Sequence, residues 1–169
     1  MKKEKKHSSK VSLRQAQAGD IPFLKEVYAG TRPDVMDNPL FSDKQKRDFI
    51  ESQFNLQDTH YRKHYRNAEF MIISEGSLDA GRFYLYESKK EMRIIDIAVL
   101  PAFRGRGHGS FLLKELQSRA THSGKSISIH VEVNNPAKKL YHRLGFKEQG
   151  EKVNGVYQLM VWNYDQVSP

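Results

Sequence analysis

The sequence predicts a mixed α/β fold in a single domain, with a largely antiparallel central sheet of about seven strands and helices on both faces. Two observations lead to this prediction. The period of the apolar residues switches along the chain between about 3.6, typical of helices, and about 2, typical of strands. In order, these periods give a strand, two helices, three strands, a helix, a strand, a helix and two strands. At 169 residues the chain is long enough to bury one core, so we expect residues 11–169 to form one domain.

The first predicted elements are a short strand and two helices. KVSLR reads as the strand, and Asp20 is placed to cap the first helix. TRPDVMDNP is expected to be a loop, because two prolines interrupt it. Ser42 and Gln45 form a capping box, which opens a second helix that reaches Tyr61 or Tyr65.

The rest of the chain alternates between strands and helices. EFMIIS and AGRFYLYES read as strands joined by a turn at Gly76, and MRIIDIAV reads as a third. A helix over residues 109–122 precedes the strand SISIHVEV, and a short helix over residues 137–144 follows it. The last two strands, KEQGEKV and VYQLMVW, flank Asn154-Gly155, which is a strong hairpin signal.

The composition excludes several kinds of site and favours a location. Cys is absent, which excludes disulfides, thiolate metal sites and a cysteine nucleophile, and fits a cytoplasmic protein. The chain has no run of about 18 apolar residues, so we expect no membrane partner. The basic N-terminal segment MKKEKKHSSK is not followed by an apolar region, so we expect no secretory signal.

The positive charge is unevenly distributed. The formal net charge is +8 at pH 7, and the five Lys and one Glu of residues 1–10 supply half of it. We therefore expect a basic, disordered tail before a mildly basic fold. Nucleic-acid-binding proteins concentrate basic residues on a face or helix of the fold itself, so a nucleic-acid partner is not favoured. A mildly basic pocket for an anion explains the remaining charge equally well.

The stretch LPAFRGRGHGSFLL places a glycine-rich turn where an apolar strand ends and a helix begins. The first amides of a helix have no partners within it, and the helix dipole adds partial positive charge there. Glycines let an anion approach these amides, and Arg104 and Arg106 add charge, so the stretch predicts a phosphate or pyrophosphate site. It lacks the Lys of a P-loop and differs in spacing from the dinucleotide fingerprint. For the loop alone, a flexible basic turn is the alternative.

A second motif, NNPAKKLYHRLGF, follows the next predicted strand. Together, the two motifs resemble the GNAT superfamily of acetyl-CoA-dependent N-acetyltransferases. Its signature is R/Q-x-x-G-x-G/A after a strand, followed by N-x-x-A-x-x-L-Y-x-x-x-G-F. The matching residues are Arg104, Gly107 and Gly109, then Asn134, Ala137, Leu140, Tyr141, Gly145 and Phe146. Close resemblance covers residues 92–162, and the two motifs in this order and at this spacing are a specific signal.

The resemblance implies how acetyl-CoA is bound. Amides of the glycine loop would bind the pyrophosphate, and the preceding strand, splayed from SISIHVEV, would pair through its backbone with the pantetheine arm. Asn134 would bond to the arm, and Tyr141 would stand near the sulfur; a helix cap and a core aromatic are the alternatives for these two. The implied cofactor-binding residues are Ile97, Ala98, Val99, Arg104, Gly105, Arg106, Gly107, His108, Gly109, Ser110, Asn134 and Ala137.

Amine acetylation needs a neutral amine, donors for the oxyanion and a proton for the leaving thiolate. We hypothesise direct transfer through a tetrahedral intermediate without an acyl-enzyme, with Tyr141 as general acid. Asp96 is the only charge in IIDIAV, and Glu132 shares a strand face with Asn134. Both are candidate bases acting through water. The alternatives are a paired carboxylate for Asp96 and a solvated sheet face for Glu132.

The acceptor, an amine of a small molecule or peptide, is expected to bind to the first 70 residues, where this family varies most. Arg32 could hold an acceptor carboxylate, although solvated helix faces and interhelix packing are equally open. The candidate substrate-binding residues are Thr31, Arg32, Gln53 and Tyr61. His60 and His64 have no apparent third ligand, so no metal is predicted.

The leading interpretation is an acetyl-CoA-dependent N-acetyltransferase. A non-catalytic sensor of coenzyme A thioesters is an alternative, although the intact Asn134 and Tyr141 argue against it. The less favoured alternative is a nucleic-acid-binding protein that uses the tail and the RGRG loop, whose binding would depend steeply on salt and on residues 1–10. The acceptor's identity, the acyl chain length and a homodimer are left open by the sequence.

Overall fold

The computed structural model describes residues 11–166, so the predicted tail at residues 1–10 lies outside the described residues. The described chain divides into two compact units. The first holds the chain up to Tyr84 together with Asp96–Arg106. The second holds Leu85–Ile95 together with the chain from Gly107 onward.

The elements follow the predicted order with one addition. The helices are α1 (Ile21–Gly30), α2 (Pro33–Met36), α3 (Asp43–His64), α4 (His108–Ser123) and α5 (Lys138–Arg143). The strands are β1 (Val11–Gln15), β2 (Glu69–Glu75), β3 (Leu78–Glu87), β4 (Glu91–Val99), β5 (Ser126–Glu132), β6 (Lys147–Val153) and β7 (Tyr157–Trp162). Single 3-10 turns occupy Ala18–Asp20, Pro101–Phe103 and Tyr164–Gln166.

The seven strands form one sheet in the order β1-β2-β3-β4-β5-β7-β6. The pairs β1/β2, β5/β7 and β6/β7 are antiparallel, and β4/β5 is parallel. The prediction of a mixed α/β fold with a largely antiparallel sheet of seven strands is therefore confirmed. The β4/β5 register covers Glu91–Ile94 with Ser126–Ile129, while β4 continues to Val99 and β5 to Glu132.

In the first unit, α1 and α3 bury their apolar faces, with Leu24, Val27, Ile50 and Phe54 almost inaccessible to solvent. The capping box that opens α3 is confirmed. Ser42 Oγ accepts from the Gln45 N–H at 3.2 Å, and the Gln45 side-chain oxygen accepts from the Ser42 N–H at 2.8 Å.

Two local predictions for this unit are wrong. TRPDVMDNP was expected to be a loop, yet Pro33–Met36 forms α2, because proline suits the first position of a helix and Val35 is buried. Asp20 stands at the N-cap position of α1, but its side chain does not cap that helix. It accepts instead from the Gln17 N–H at 2.7 Å and from both terminal nitrogens of Arg14 at 2.8 Å. The guanidinium group of Arg14, a residue of β1, therefore binds the carboxylate oxygens that would be needed to cap α1.

In the second unit, glycine and asparagine residues end two elements. Gly124, with φ 64°, follows α4. The Asn154-Gly155 hairpin is confirmed: both residues have positive φ, 51° and 67°, and the Val156 N–H donates to Val153 O across the turn at 3.0 Å. These are the angles that a type I′ turn requires.

Among the helices of residues 11–166, none combines the length and the apolar character that a membrane crossing requires.

Candidate functional site

The glycine-rich loop has the backbone that the sequence predicts. After β4, the turn Pro101–Phe103 leads into a loop in which Gly105 and Gly107 have φ of 72° and 86°. Residues with a side chain rarely adopt these angles, and a Cβ added at either glycine would have no atom within 4 Å. The Phe111 N–H donates to Gly107 O at 2.9 Å and closes the first turn of α4. The amides of Gly109 and Ser110, which precede Phe111 in the helix, have no acceptor within the helix and can bind an anion.

The side chains of the loop arginines bond to the protein itself. Arg104 Nε donates to Val99 O at 2.9 Å, and Arg104 Nη2 donates to Gly30 O at 2.8 Å. Arg106 Nη1 donates to both carboxylate oxygens of Glu75 at 3.2 Å. The sequence predicts that both arginines add positive charge to a phosphate site, but it does not reveal these acceptors from distant parts of the chain. In the structure, the loop offers an anion mainly its backbone.

The strand before the loop lies very close to its neighbour. A Cβ on Gly81 of β3 would stand 2.2 Å from Ala98 O and 3.0 Å from Val99 Cα. Only glycine allows this approach, because atoms at such distances overlap. The Leu100 N–H also donates to Ala80 O at 2.8 Å. The backbone of Ile97, Ala98 and Val99 is therefore held in place from the β3 side.

A buried ion pair joins β3 to β4 in the first unit. Arg82 is only 2% exposed, and its Nη2 donates to Asp96 Oδ2 at 2.6 Å and to Gln57 Oε1 at 2.9 Å. The Tyr61 hydroxyl donates to the same Asp96 oxygen at 3.3 Å. Sequence reasoning selected Asp96 and Tyr61 but gave Arg82 no role. The signal was present, since Arg82 is the one charged residue in the apolar run AGRFYLY.

Burial and charge act together on the pKa values of this cluster. Burial raises the pKa of Tyr61, and the negative charge of Asp96 raises it further. Burial acts to lower the pKa of Arg82, but the charge and hydrogen bond of Asp96, together with Tyr84 and Tyr61, outweigh it and the pKa is raised. Arg82 therefore stays charged, and the Tyr61 hydroxyl keeps its proton and acts as a donor to Asp96.

The predicted acceptor residues are dispersed over the first unit. Arg32 Nε and Nη2 donate to the two oxygens of Asp34 at 2.9 and 2.7 Å, and Nη1 donates to the Tyr28 hydroxyl at 3.3 Å. The guanidinium group of Arg32 is therefore already hydrogen-bonded to a carboxylate of the chain. The Thr31 hydroxyl donates to Tyr28 O at 2.6 Å, and Gln53 is half-buried on α3. Tyr28 connects this region to the ion pair, because the Arg82 guanidinium lies 5.9 Å from its ring centroid.

In the second unit, Tyr141 is buried on α5, with its ring 5.7 Å from that of Phe146. Asn134 is exposed in the loop before α5. The side chain that bonds to the backbone at the start of this helix is that of Asn135, whose Oδ1 accepts from the Ala137 N–H at 2.9 Å. The alternative of Asn134 as a helix cap therefore has no support in the structure.

Glu132, the candidate base on β5, and His130 on the same strand have different surroundings. Glu132 is exposed near the end of the strand. The His130 ring nitrogen Nδ1 lies 2.7 Å from Arg93 Nη1. Partial desolvation and then the charge of Arg93 lower the pKa of His130, so the ring is neutral near pH 7 and accepts from Arg93. Within residues 11–166, no three His, Asp or Glu side chains are grouped as a metal site would need; the absence of a metal stays a prediction.

Solved structures similar to this chain include two acetyltransferases with bound coenzyme A. One is the PaiA N-acetyltransferase from Thermoplasma acidophilum in complex with coenzyme A, with a TM-score of 0.65 and 17% identity over 91% of this chain and 99% of that chain. The other is spermidine N-acetyltransferase from Vibrio cholerae in complex with coenzyme A and spermine, with a TM-score of 0.63 and 21% identity over 93% of this chain and 97% of that chain. At these identities the likeness shows a shared fold.

Sequence comparison gives the family. Among curated proteins, no sequence matches this chain significantly. The pattern of the Acetyltransferase (GNAT) family, however, matches residues 39–146, which is more than half of the 169 residues. The matched range contains the glycine loop, the Arg82–Asp96 pair and Tyr141. The chain therefore belongs to the GNAT family of acetyltransferases, as its two motifs predict.

Proposed function

We propose that this protein transfers the acetyl group of acetyl-CoA directly to a primary amine of a small molecule or peptide. The observation that carries the proposal is the loop between β4 and α4, where left-handed Gly105 and Gly107 lead into a 16-residue helix whose next amides, those of Gly109 and Ser110, have no acceptor within the helix. Membership of the acetyltransferase family supports acetyl-CoA as the ligand with that anion.

The loop fits a pyrophosphate by its shape and by its donors. A Cβ at Gly105 or Gly107 would meet no atom, so the concave side of the backbone is accessible, and N–H groups at a helix start are suited to phosphate. The Arg104 N–H donates to Pro101 O at 3.3 Å, so the amides of residues 105–110 would hold the pyrophosphate. The backbone of residues 97–99 would hold the pantetheine arm. Asn134 and Ala137 complete the proposed binding residues.

Acetyl-CoA supplies a thioester carbonyl that an amine can attack, and the chain must then move two protons. We assign Tyr141 as the acid that protonates the leaving thiolate. With Cys absent, an acyl-enzyme on a cysteine is excluded, which supports direct transfer. The amine must lose its proton before or during attack, since an alkylamine with a pKa near that of Lys, about 10.4, is mostly protonated at pH 7.

For the base, the geometry favours Asp96 over Glu132. Asp96 Oδ2 accepts from Arg82 and Tyr61, which fixes the carboxylate in one orientation. Its second oxygen, Oδ1, has no hydrogen bond to any residue in 11–166 and can accept from a water that carries the proton of the amine. Glu132 is exposed and has no comparable group holding it in position.

Calorimetric titration of the full chain with acetyl-CoA, coenzyme A and NAD tests the proposal. We expect one-to-one binding of both coenzyme A species at micromolar affinity, about −8 kcal/mol, and no heat with NAD. An amine screen with a thiol-release assay then tests for turnover. Binding without thiol release from any amine would favour a sensor, and folded protein that binds neither coenzyme A species would overturn the proposal.

A matched pair of variants locates the site. Gly107→Ala forces a side chain into φ 86° in the loop, and Gly150→Ala does the same at φ 70° in β6. Both cost stability through backbone strain, roughly 1–2 kcal/mol. Only Gly107→Ala should weaken acetyl-CoA binding. An equal loss of acetyl-CoA affinity in both variants would show that general backbone strain, and not a change in the loop, weakens binding.

A further inference from the structure

A cleft of about 510 Å³ opens at α2 and the start of α3 in the first unit. Its volume lies in the range of small-molecule sites. Seven residues line it: Arg32, Asp34, Val35, Asn38, Phe41, Gln45 and Phe49. Arg32 is the only predicted acceptor residue among them; Thr31, Gln53 and Tyr61 do not line it. The residues that decide what the cleft can bind were therefore mostly outside the sequence-based prediction.

The charge of the cleft is balanced. Arg32 and Asp34 are the only charged residues among the seven, and they bond to each other through two parallel hydrogen bonds of 2.9 and 2.7 Å. Each holds the other in its charged form, because the pKa of Arg32 is raised and that of Asp34 is lowered by their mutual hydrogen bonds. A ligand carboxylate would find the fork of Arg32 occupied. A polycation would find a single carboxylate that is already paired.

The walls of the cleft are apolar and partly aromatic. Phe41 is 42% exposed and Phe49 is 36% exposed, and Val35 lies buried at the base. The Arg32 guanidinium is 5.0 Å from the centroid of the Phe49 ring, so a flat cation and a flat ring form one surface. Aromatic rings pack favourably against both kinds of partner, edge to face on phenylalanine and in parallel on arginine. The walls therefore suit an uncharged aromatic group.

Two carboxamides supply the polar part of the lining. Asn38 Oδ1 accepts from the Leu40 N–H at 2.9 Å, and Gln45 Oε1 accepts from the Ser42 N–H at 2.8 Å. These bonds to the backbone fix both side chains and leave their NH₂ groups as donors. A ring that bears a hydroxyl or carbonyl oxygen could accept from them, which adds orientation to the apolar contact.

The cleft is connected to Asp96 through contacts within the first unit. Arg32 donates to the Tyr28 hydroxyl, and the ring of Tyr28 lies under the guanidinium of Arg82, which binds Asp96. Tyr28 therefore links Arg32, on the wall of the cleft, to the residues that hold the proposed base in place.

We propose that this cleft binds an uncharged aromatic ring that carries the acceptor amine on an alkyl arm, so that the substrates are arylalkyl primary amines and not polyamines. This inference rests on the proposed function for its link to catalysis, but the binding of the ring can be measured by itself. It names the substrate class of this chain from its own lining residues, independently of the spermidine enzyme that shares its fold.

The experiment compares three probe amines with the full chain: 2-phenylethylamine, butylamine and spermidine. In thiol-release assays we expect KM for 2-phenylethylamine to be about tenfold lower than for butylamine, because the ring buries additional apolar area. Phe49→Ala should remove most of that difference in KM between the two amines. Phe41→Ala, at the other aromatic wall, is the second variant should Phe49→Ala fold poorly. Leu56→Ala is the matched control, since Leu56 is an apolar residue of α3 that is 64% exposed and does not line the cleft.

Binding measured without turnover separates this inference from the proposed function. With coenzyme A present in place of acetyl-CoA, calorimetry should show 2-phenylethylamine bound by wild type and by Leu56→Ala, and more weakly by Phe49→Ala. If thiol release is absent but this pattern is found, the transferase proposal fails and the cleft assignment stands. Acetyl transfer with spermidine preferred, or with no preference for the ring, would overturn the assignment and leave the transferase intact.

Discussion

The role of Tyr141 as general acid can be tested by removing its hydroxyl group. It is 3% exposed and its ring packs near Phe146, so Tyr141→Phe keeps the packing and deletes only the hydroxyl. Positioned general acids contribute about 10²- to 10⁴-fold to the rate, and we expect kcat to fall by at least about 10²-fold while the affinity for acetyl-CoA changes little. Steady-state kinetics and calorimetry measure the two effects. Tyr157→Phe, at an exposed tyrosine of β7, is the control; unchanged kcat in Tyr141→Phe would remove Tyr141 from the mechanism.

Asp20 contributes a pH-dependent stability. The hydrogen bonds from Arg14 and then from the Gln17 N–H lower its pKa from 3.8 to about 2. Because the pKa is depressed in the folded state, the stabilisation is complete above 3.8 and is lost as the pH falls towards 2. Asp20→Asn should therefore be less stable than wild type at pH 7, and the difference should vanish near pH 2 in urea unfolding. Asp37→Asn, at an exposed carboxylate without an ion pair in residues 11–166, should differ little at either pH.

For single residues, the sequence indicates which side chains belong to the candidate site better than it indicates their bonding partners. Asp96 is visible as the one charge in an apolar strand, but its partner Arg82 is 14 residues away and Gln57, which shares Arg82, is 25 residues from it. Arg104 likewise bonds to a carbonyl 74 residues away. Such pairs depend on how elements meet in the fold, and no local pattern in the chain specifies them.

Among the elements, β3 and β4 make the most demanding contact, at Gly81. The Cβ of Gly81→Ala would overlap Ala98 O, and the backbone at the proposed pantetheine site would have to move. Overpacking of this kind costs about 1–3 kcal/mol, and acetyl-CoA affinity should fall with it. Gly19→Ala is the matched control, because a Cβ there has no atom within 4 Å. Thermal unfolding and calorimetry compare the two, and equal behaviour would mean that the strands can adjust.

The elements themselves were largely predictable, because each long one has a clear period or cap. The 22 residues of α3 begin at the predicted capping box, and the last hairpin turns at Asn154-Gly155. The prediction failed at α2 because this helix has no such signal. A helix of four residues is too short to show a period, and the burial of Val35 that stabilises it is a tertiary effect.

For the whole molecule, we expect a single unfolding transition. Two strands belong to both compact units. Strand β3 lies in the first unit up to Tyr84 and in the second from Leu85. Strand β4 lies in the second unit up to Ile95 and in the first from Asp96. Neither unit can lose these strands without breaking the other, which is the condition for cooperative unfolding. Far- and near-ultraviolet circular dichroism should give coincident curves. Two separate transitions would show that residues 11–169 do not behave as one domain.

The bonds of Arg104 have a consequence for the order in which substrates bind. Its guanidinium ties the loop after β4 to Gly30 O at the end of α1, two residues before Arg32 and the cleft. Acetyl-CoA bound at the loop would restrain this end of α1 and the adjoining wall of the cleft, so we expect the amine to bind after acetyl-CoA. Initial-rate kinetics should therefore follow a compulsory sequence with the amine second, and Arg104→Ala should relax it towards random addition.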